Sequence, residues 1–534
     1  MSREGAVLFH CMNPFLLLSA VFGLSVMGLH GAEPTWFRIH NRWYPNESLG
    51  EDQGKAVCKE ARGDAYLWRT ETRNGRTRLF NKATGHALQA DAGVSLCATA
   101  DSSNAAQAWT LETVSGPWVG LRSNASGWLN IEHRLGGPES DMTVKPTEQD
   151  RWSGQWELLY AGGSRPLVPG RISVTSPAYG GDIASATTIE LAAPGLKQIA
   201  VSGWAEGKKV DLTSVALDAE GRGHFRFDPS AFPKGPLTLK LQGSGDVAKD
   251  ICYLQLYHTA GKARATTDKL PPGAEGMKLA FSDEFDKPLS ISRDGKGATY
   301  AAHKPGGGDF SGIPFSDFEG ASNPFSQRDG FLRIRADETK NSTGLLSSLR
   351  MDGTGFTAKA PCYFECRFIA QTAPGTWPAF WIMTADTWKG MKTPVDELDV
   401  IEAYGGEGPG QPNAPGYEIT SHYWNQGPDG AKDTSQPGLH KQVLLPTLPG
   451  ASGASWYEDF HTYGVKVGLD DTIYYCDGIE VGRHPTAKLS REQPFFFFIN
   501  LAIGGTSGWK KDLSRYGGIA DMYVDFVKVY HGGK

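Results

Sequence analysis

Three carboxylates, Glu397, Asp399 and Glu402, stand close together in the stretch Val395–Gly406, V-D-E-L-D-V-I-E-A-Y-G-G. Carboxyl groups at short range do general acid, general base and nucleophilic work, because mutual repulsion and burial keep a proton on one of them near neutrality. The residues between and around them, Val395, Leu398, Val400 and Ile401, are β-branched or apolar and read as a strand. A buried strand does not carry three unpaired carboxylates, since each is costly to desolvate. A plain surface strand has no need of apolar residues on both faces.

Side chains alternate along a strand, so Glu397 and Asp399 share a face and Glu402 belongs to the other. One extra residue, a β-bulge near Val400–Ile401, returns Glu402 to the first face. The outer glutamates are then roughly 13 Å apart between Cα atoms, at about 3.3 Å per residue. If each side chain leans about 4 Å toward the other, the carboxyl groups end roughly 5–6 Å apart. That suits double displacement at a glycosidic carbon, which needs about 5–5.5 Å. Single displacement by water needs about 6.5–9.5 Å.

Such a strand requires a sheet on either side, and the C-terminal half supplies the elements in order. Phe281–Phe285 (F-S-D-E-F) opens the region, and Gly330–Ile334 (G-F-L-R-I) and Tyr363–Arg367 (Y-F-E-C-R) follow as alternating strands. Gly375–Trp381 (G-T-W-P-A-F-W) precedes the carboxylate strand and Ser421–Trp424 (S-H-Y-W) follows it. Then come Asp459–Tyr463, a hairpin at Asp477-Gly478, Phe495–Asn500 with Leu501–Gly505, and Val524–Tyr530.

In this order and with its E-L-D-V-I-E strand, the region resembles glycoside hydrolase family 16 in its bulged E-x-D-x-x-E form. The resemblance implies a jelly-roll of two curved antiparallel sheets with a substrate cleft. It makes Glu397 the nucleophile, Glu402 the general acid/base, and Asp399 the group between them that tunes the nucleophile. Trp377, Trp381 and Trp424 are then platforms for sugar faces, and His422, Arg367 and Asn500 bind hydroxyls. Trp381 and the Phe495–Phe498 run also read as core, and Arg367 as the partner of Glu365 on its own strand face. His422 shares a strand face with Trp424. Family members hold a calcium through the opening and closing strands, and Glu284 and Asp525 stand at the matching places. No cofactor is implied for the chemistry.

The remainder reads as further small β domains, making the chain an all-β, multidomain protein. Its 534 residues exceed one core. Residues 1–32 carry Arg3 and the apolar run Phe15–Leu29, the pattern of a secretory signal, with Met12 as an alternative start. Residues 33–162 hold a weak threefold repeat whose units end at Trp68, Trp109 and Trp156. That region resembles a ricin-B-type β-trefoil, which implies core tryptophans and a possible sugar-binding role. Residues 163–268 show short strands at roughly ten-residue spacing, as in an immunoglobulin-like sandwich, and read as a spacer. The jelly-roll spans 275–534.

The net charge of −6 argues against nucleic acid as partner. Zinc spacing, phosphate loops and the G-x-S-x-G elbow are all missing from the sequence. The expectation is a secreted or periplasmic monomer that does not stay in the membrane after signal cleavage. It is read as a retaining endo-glycosidase acting on β-1,3- or 1,3-1,4-glucan, G-T-W-P-A-F-W leaning to the laminarinase-like branch. The alternatives are an agar- or carrageenan-type galactan or a bacterial exopolysaccharide as substrate, a transglycosylase, and a carbohydrate-binding protein without hydrolysis.

Overall fold

The computed structural model describes residues 36–532, apart from 43–46, 60–62, 74–75, 92–93, 116–117, 124–126, 132–139, 146–151, 163–169, 247–248, 265–268, 390–393, 407–414, 425–435 and 506–510. The expected leader, 1–32, lies outside the described residues, as do 407–414 and 427–435 of Glu407–Tyr417 and Gly427–Ser455, the two segments expected to shape the cleft rim. Among the described residues, strands make up nearly all the regular structure, in five sheets, and the one α-helix, Lys488–Glu492, is a single short turn. The all-β reading holds.

Two largely antiparallel sheets make up the C-terminal region, and the nine-stranded one carries the carboxylates. In the nine-stranded sheet the carboxylate strand, Val395–Ala403, lies between Thr376–Thr384 and Gly416–Trp424, with Pro494–Ile503 one strand further on. The eight-stranded sheet includes Cys362–Ala370, His461–Val467 and the long closing strand Ile519–His531. Alternation splits each strand between two environments. Phe380, Ile382, Leu398, Val400, Ile401 and Phe497 point into a core shared with Phe364, Phe368, Val524 and Val527 of the opposing sheet. Ala379, Trp381, Met383, Phe496 and Phe498 form a second apolar layer on the other face. The four-phenylalanine run, read from sequence as one core segment, therefore serves both faces in turn.

The N-terminal strands, Trp36–Asn41 through Gln155–Gly162, form one twelve-stranded sheet. Its core contains Trp68, Trp109 and Trp156, all fully buried. Each indole N–H donates to a leucine carbonyl: Trp68 to Leu49 at 2.8 Å, Trp109 to Leu88 at 2.9 Å and Trp156 to Leu129 at 3.0 Å. The same contact thus recurs in all three repeat units.

Residues 173–258 make a three-stranded and a five-stranded sheet. The eight strands run from Ser173–Ser176 to Lys249–His258. Side-chain pairs join this region to the eight-stranded sheet and its flanks. Arg515, 5% exposed, donates to the carbonyl of Ile172 at 2.9 Å and to Asp250 at 2.5 Å. Arg264 reaches Asp459 at 3.4 Å with both side chains nearly buried, and the Gly207 amide donates to the same Asp459 at 2.8 Å. Arg328 grips Asp182 with two bonds of 2.6 Å. All six described cysteines, Cys362 and Cys366 among them, are free thiols.

Removing one partner of a buried pair leaves an uncompensated charge, at about 3–5 kcal/mol. Arg515→Met is therefore expected to destabilise the protein by that amount, read as a lower denaturant midpoint of the transition that unfolds the C-terminal region. A loss below about 1 kcal/mol would mean the pair does not hold the two regions together.

Candidate active site

The register around the carboxylate strand contains the slip that alternation requires. Asp399 pairs with Trp381 on one side and Thr420 on the other, while Glu402 pairs with Ala379 and Glu418. From Asp399 to Glu402 the strand advances three residues while each neighbour advances two. The surplus residue lies at Val400–Ile401, and the slip is taken up against both neighbours. Val400 and Ile401 are buried in the intersheet core. As a result Glu397, Asp399 and Glu402 line one cavity of about 320 Å³, with Trp377, Trp381, His422, Trp424 and Asn500.

Each glutamate is held by an indole. Trp424 Nε1 donates to Glu397 Oε2 at 3.1 Å, and Trp377 Nε1 to Glu402 Oε1 at 3.1 Å. A second donor, the Tyr404 hydroxyl, reaches the same Glu402 Oε1 at 3.2 Å. Between the glutamates, His422 Nε2 lies 3.3 Å from Asp399 Oδ2, and its ring tilts against Trp424. His422 is also the cross-strand partner of Glu397.

Trp381 forms the cavity floor, stacked on Phe498 at 4.0 Å and donating to Asn500 Oδ1 at 2.8 Å. The Asn500 carboxamide donates in turn to the Trp377 carbonyl at 3.4 Å. Its polar atoms are thus engaged in holding the two tryptophans, and it is fully buried. Trp424, 37% exposed, presents the most open aromatic face.

The two glutamates sit in unlike fields. Burial raises the Glu402 carboxyl to about 8, helped by the Asp399 charge and opposed by His422 and the Tyr404 and Trp377 donors. Burial also raises Glu397, with a further push from Glu402, but His422, the Trp424 donor and Lys304 pull it back. His422 acts on both glutamates; what differs is that Lys304 acts on Glu397 and the Asp399 charge on Glu402. Asp399 therefore favours a proton on Glu402, and Lys304 favours an ionised Glu397.

Two expected assignments are corrected. Arg367 is not in this cavity: its strand is in the other sheet, and its guanidinium pairs with Asp525 and lies over the Phe460 ring. Its strand-mate Glu365 is not its partner. The calcium expected at Glu284 and Asp525 finds no fitting donor set, because Asp525 is taken by Arg367 and Glu284 by Lys528 at 2.9 Å. A cation beside each carboxylate disfavours a divalent ion. The two groups of ligand-bearing side chains among the described residues, His461–Cys476–Asp477 and Glu397–Asp399–His422, include neither.

Sequence reasoning missed Lys304 and Phe310, which reach the cavity from a segment some ninety residues upstream, as well as Met383 and Tyr404. For Tyr404 the signal was present, since it stands two positions after Glu402 and alternation favours a shared face. Nothing near Lys304 marks its destination.

No family model matches the chain. Among curated relatives, it is 30% identical over 218 residues to the endo-1,3-1,4-beta-glycanase EglC of Rhizobium meliloti (strain 1021), covering 39% of this chain and 40% of that protein. It is 27% identical over 294 residues to the endo-1,3-1,4-beta-glycanase ExsH of the same organism, covering 51% and 56%. To the glucan endo-1,3-beta-glucosidase A1 of Niallia circulans it is 25% identical over 291 residues, covering 48% and 38%. The catalytic domain of an endo-1,3-beta-glucanase (laminarinase) from Thermotoga petrophila RKU-1 aligns at 20% identity and TM-score 0.37, over 48% of this chain and 98% of that one. The chain spans between 38% and 56% of the length of these curated relatives, and it is over that span that it is similar to β-glucanases.

Proposed function

We propose that the protein is a retaining endo-glycosidase that cleaves β-1,3- or mixed β-1,3-1,4-glucan. The observation that carries this reading is the register slip that puts Glu397 and Glu402 in one cavity with Asp399 between them. The names of the curated relatives favour β-glucan as substrate.

The chemistry follows from the two fields. Protonated Glu402 donates to the glycosidic oxygen as the Glu397 carboxylate attacks the anomeric carbon. The carbon–oxygen bond breaks and a glycosyl ester forms on Glu397. Glu402, now ionised, takes a proton from water, whose oxygen attacks the same carbon and restores Glu397. Two inversions leave the anomeric configuration unchanged. Asp399, beside His422, keeps an anion next to Glu402 and so favours its protonated form before attack. Trp424 and Trp377 act as sugar platforms that also orient the glutamates through their N–H groups. No metal or cofactor takes part.

The finer domain readings belong to the same proposal. Residues 33–162 are read as a ricin-B-type β-trefoil, which the thrice-repeated indole-to-carbonyl contact supports. Residues 163–268 are read as an immunoglobulin-like sandwich that braces the 275–534 jelly-roll. Export rests on the 1–32 leader pattern. No helix among the described residues is long and apolar enough to cross a membrane.

Glu397→Gln is expected to lower the release of reducing ends from β-glucan by at least about 10³-fold with folding intact, and activity retained within tenfold removes its assignment as nucleophile. NMR of the first product formed should give the β-anomer, whereas initial α-anomer rules out double displacement.

The raised Glu402 carboxyl yields two further expectations. The rate kcat/KM should fall as pH rises through about 8, where the acid loses its proton. The folded state holds that proton more tightly than the unfolded chain, so stability falls with rising pH between 4.5 and about 8. Glu402→Gln removes this penalty. Its melting temperature should exceed the wild type's at pH 8 and approach it near pH 4; no difference at pH 8 contradicts a buried, proton-holding Glu402.

A further inference from the structure

Both hydrogen bonds that Glu402 accepts from Trp377 and Tyr404 arrive at one oxygen. Trp377 Nε1 lies 3.1 Å from Oε1 and the Tyr404 hydroxyl 3.2 Å from the same atom. A carboxyl oxygen has two lone-pair directions, and a protonated oxygen is itself a donor. Two donors aimed at Oε1 therefore oppose a proton there. Trp377 and Tyr404 are themselves packed as a pair, their rings 5.7 Å apart and tilted by 32°. The tyrosine is buried at 9% exposure, just beyond the end of the carboxylate strand. Its place is fixed by the Gly405 amide, which donates to the Thr376 carbonyl at 2.8 Å, so the chain after Glu402 is tied back to the strand that bears Trp377. A Cβ at Gly405 would meet the Thr376 hydroxyl at 1.8 Å, so this close crossing requires glycine.

We propose that Tyr404 is a positioning residue for the acid/base step: with Trp377 it reserves Oε1 of Glu402 as an acceptor, so that the catalytic proton is carried and delivered by Oε2. The inference rests on the glycosidase reading of Glu402 and extends it to a residue outside the three carboxylates. In the first step the Oε2–H bond breaks, the proton passes to the glycosidic oxygen, and negative charge develops on the carboxylate. The two hydrogen bonds at Oε1 strengthen as that charge appears, which stabilises the transition state more than the ground state. In the second step the same carboxylate takes a proton back from water at Oε2, and Oε1 again only accepts. The charged or titratable groups that face Glu402 are Glu397 and Asp399 on its own strand, His422 and Glu418 (the register partner of Glu402) on the next, and Lys304 from the upstream segment. None of these donates to Oε1.

The test is Tyr404→Phe, which keeps the ring against Trp377 and deletes one donor. On β-glucan, whose sugar leaving group needs protonation, kcat/KM should fall by about 10–100-fold. On a 2,4-dinitrophenyl β-glycoside of a short β-glucan oligomer, whose leaving group departs without an acid, it should fall by no more than about threefold. The alkaline limb of the β-glucan profile should move to higher pH, because the ionised form has lost a donor. Equal losses on both substrates with an unmoved limb overturn the proposal and leave Tyr404 a packing residue. An activity-independent reading comes from carboxyl-13C glutamate spectra of the full chain, in which the resonance absent from Glu402→Gln identifies Glu402. A titration midpoint shifted upward in Tyr404→Phe supports the proposal, and an unchanged midpoint overturns it. Failure of the glycosidase reading itself shows differently, as wild-type protein inert on both substrates or as Glu402→Gln retaining full β-glucan activity.

Discussion

One surplus residue in one strand governs the site. Without the slip at Val400–Ile401, alternation sends Glu402 into the intersheet core, where an unpaired carboxylate is untenable. With the slip, three carboxylates open into one cavity. An irregularity in an interior strand must be matched by both neighbours, and here Thr376–Thr384 and Gly416–Trp424 each take up the same shift. Burial of Val400 and Ile401 keeps the bulge in place, because any other register would exchange them with the polar side chains outside.

Given that geometry, two chemically identical groups acquire different roles from their surroundings. Burial alone raises both glutamates and would make them alike. What separates them is the charge each does not share with the other: Lys304 pulls Glu397 down, while Asp399 pushes Glu402 upward. The same side chains supply shape and electrostatics together. Trp377 and Trp424 offer flat surfaces to the cavity while their N–H groups hold the reacting carboxyls, so substrate contact and acid/base geometry are coupled through single rings.

Behind the cavity, charged pairs join the middle region to the C-terminal one: buried arginines, Arg515 and Arg264, are each bound to a carboxylate from the other side. Such pairs contribute little net energy but are costly to break, so they fix one arrangement of the two regions. The eight-stranded sheet, which shares its core with the nine-stranded sheet that carries the cavity, is thereby tied to the middle region.

The sequence by itself determined what local periodicity can encode. The spacing of Glu397, Asp399 and Glu402 required a bulge and a common face, the alternating runs required sheets, and the recurring tryptophans marked three equivalent units. Periodicity gives parity, which side chains share a face, but not which face of which sheet looks into the cleft. That is why Arg367 was misplaced: its strand alternates correctly, yet lies in the opposing sheet beside Asp525. It is also why Glu284 and Asp525 looked like ligands until Lys528 and Arg367 were seen beside them. Lys304 and Phe310 meet the carboxylates only because the chain folds back across some ninety residues. Long-range pairing of this kind is fixed by the packing of whole sheets, and only the tertiary structure decides it.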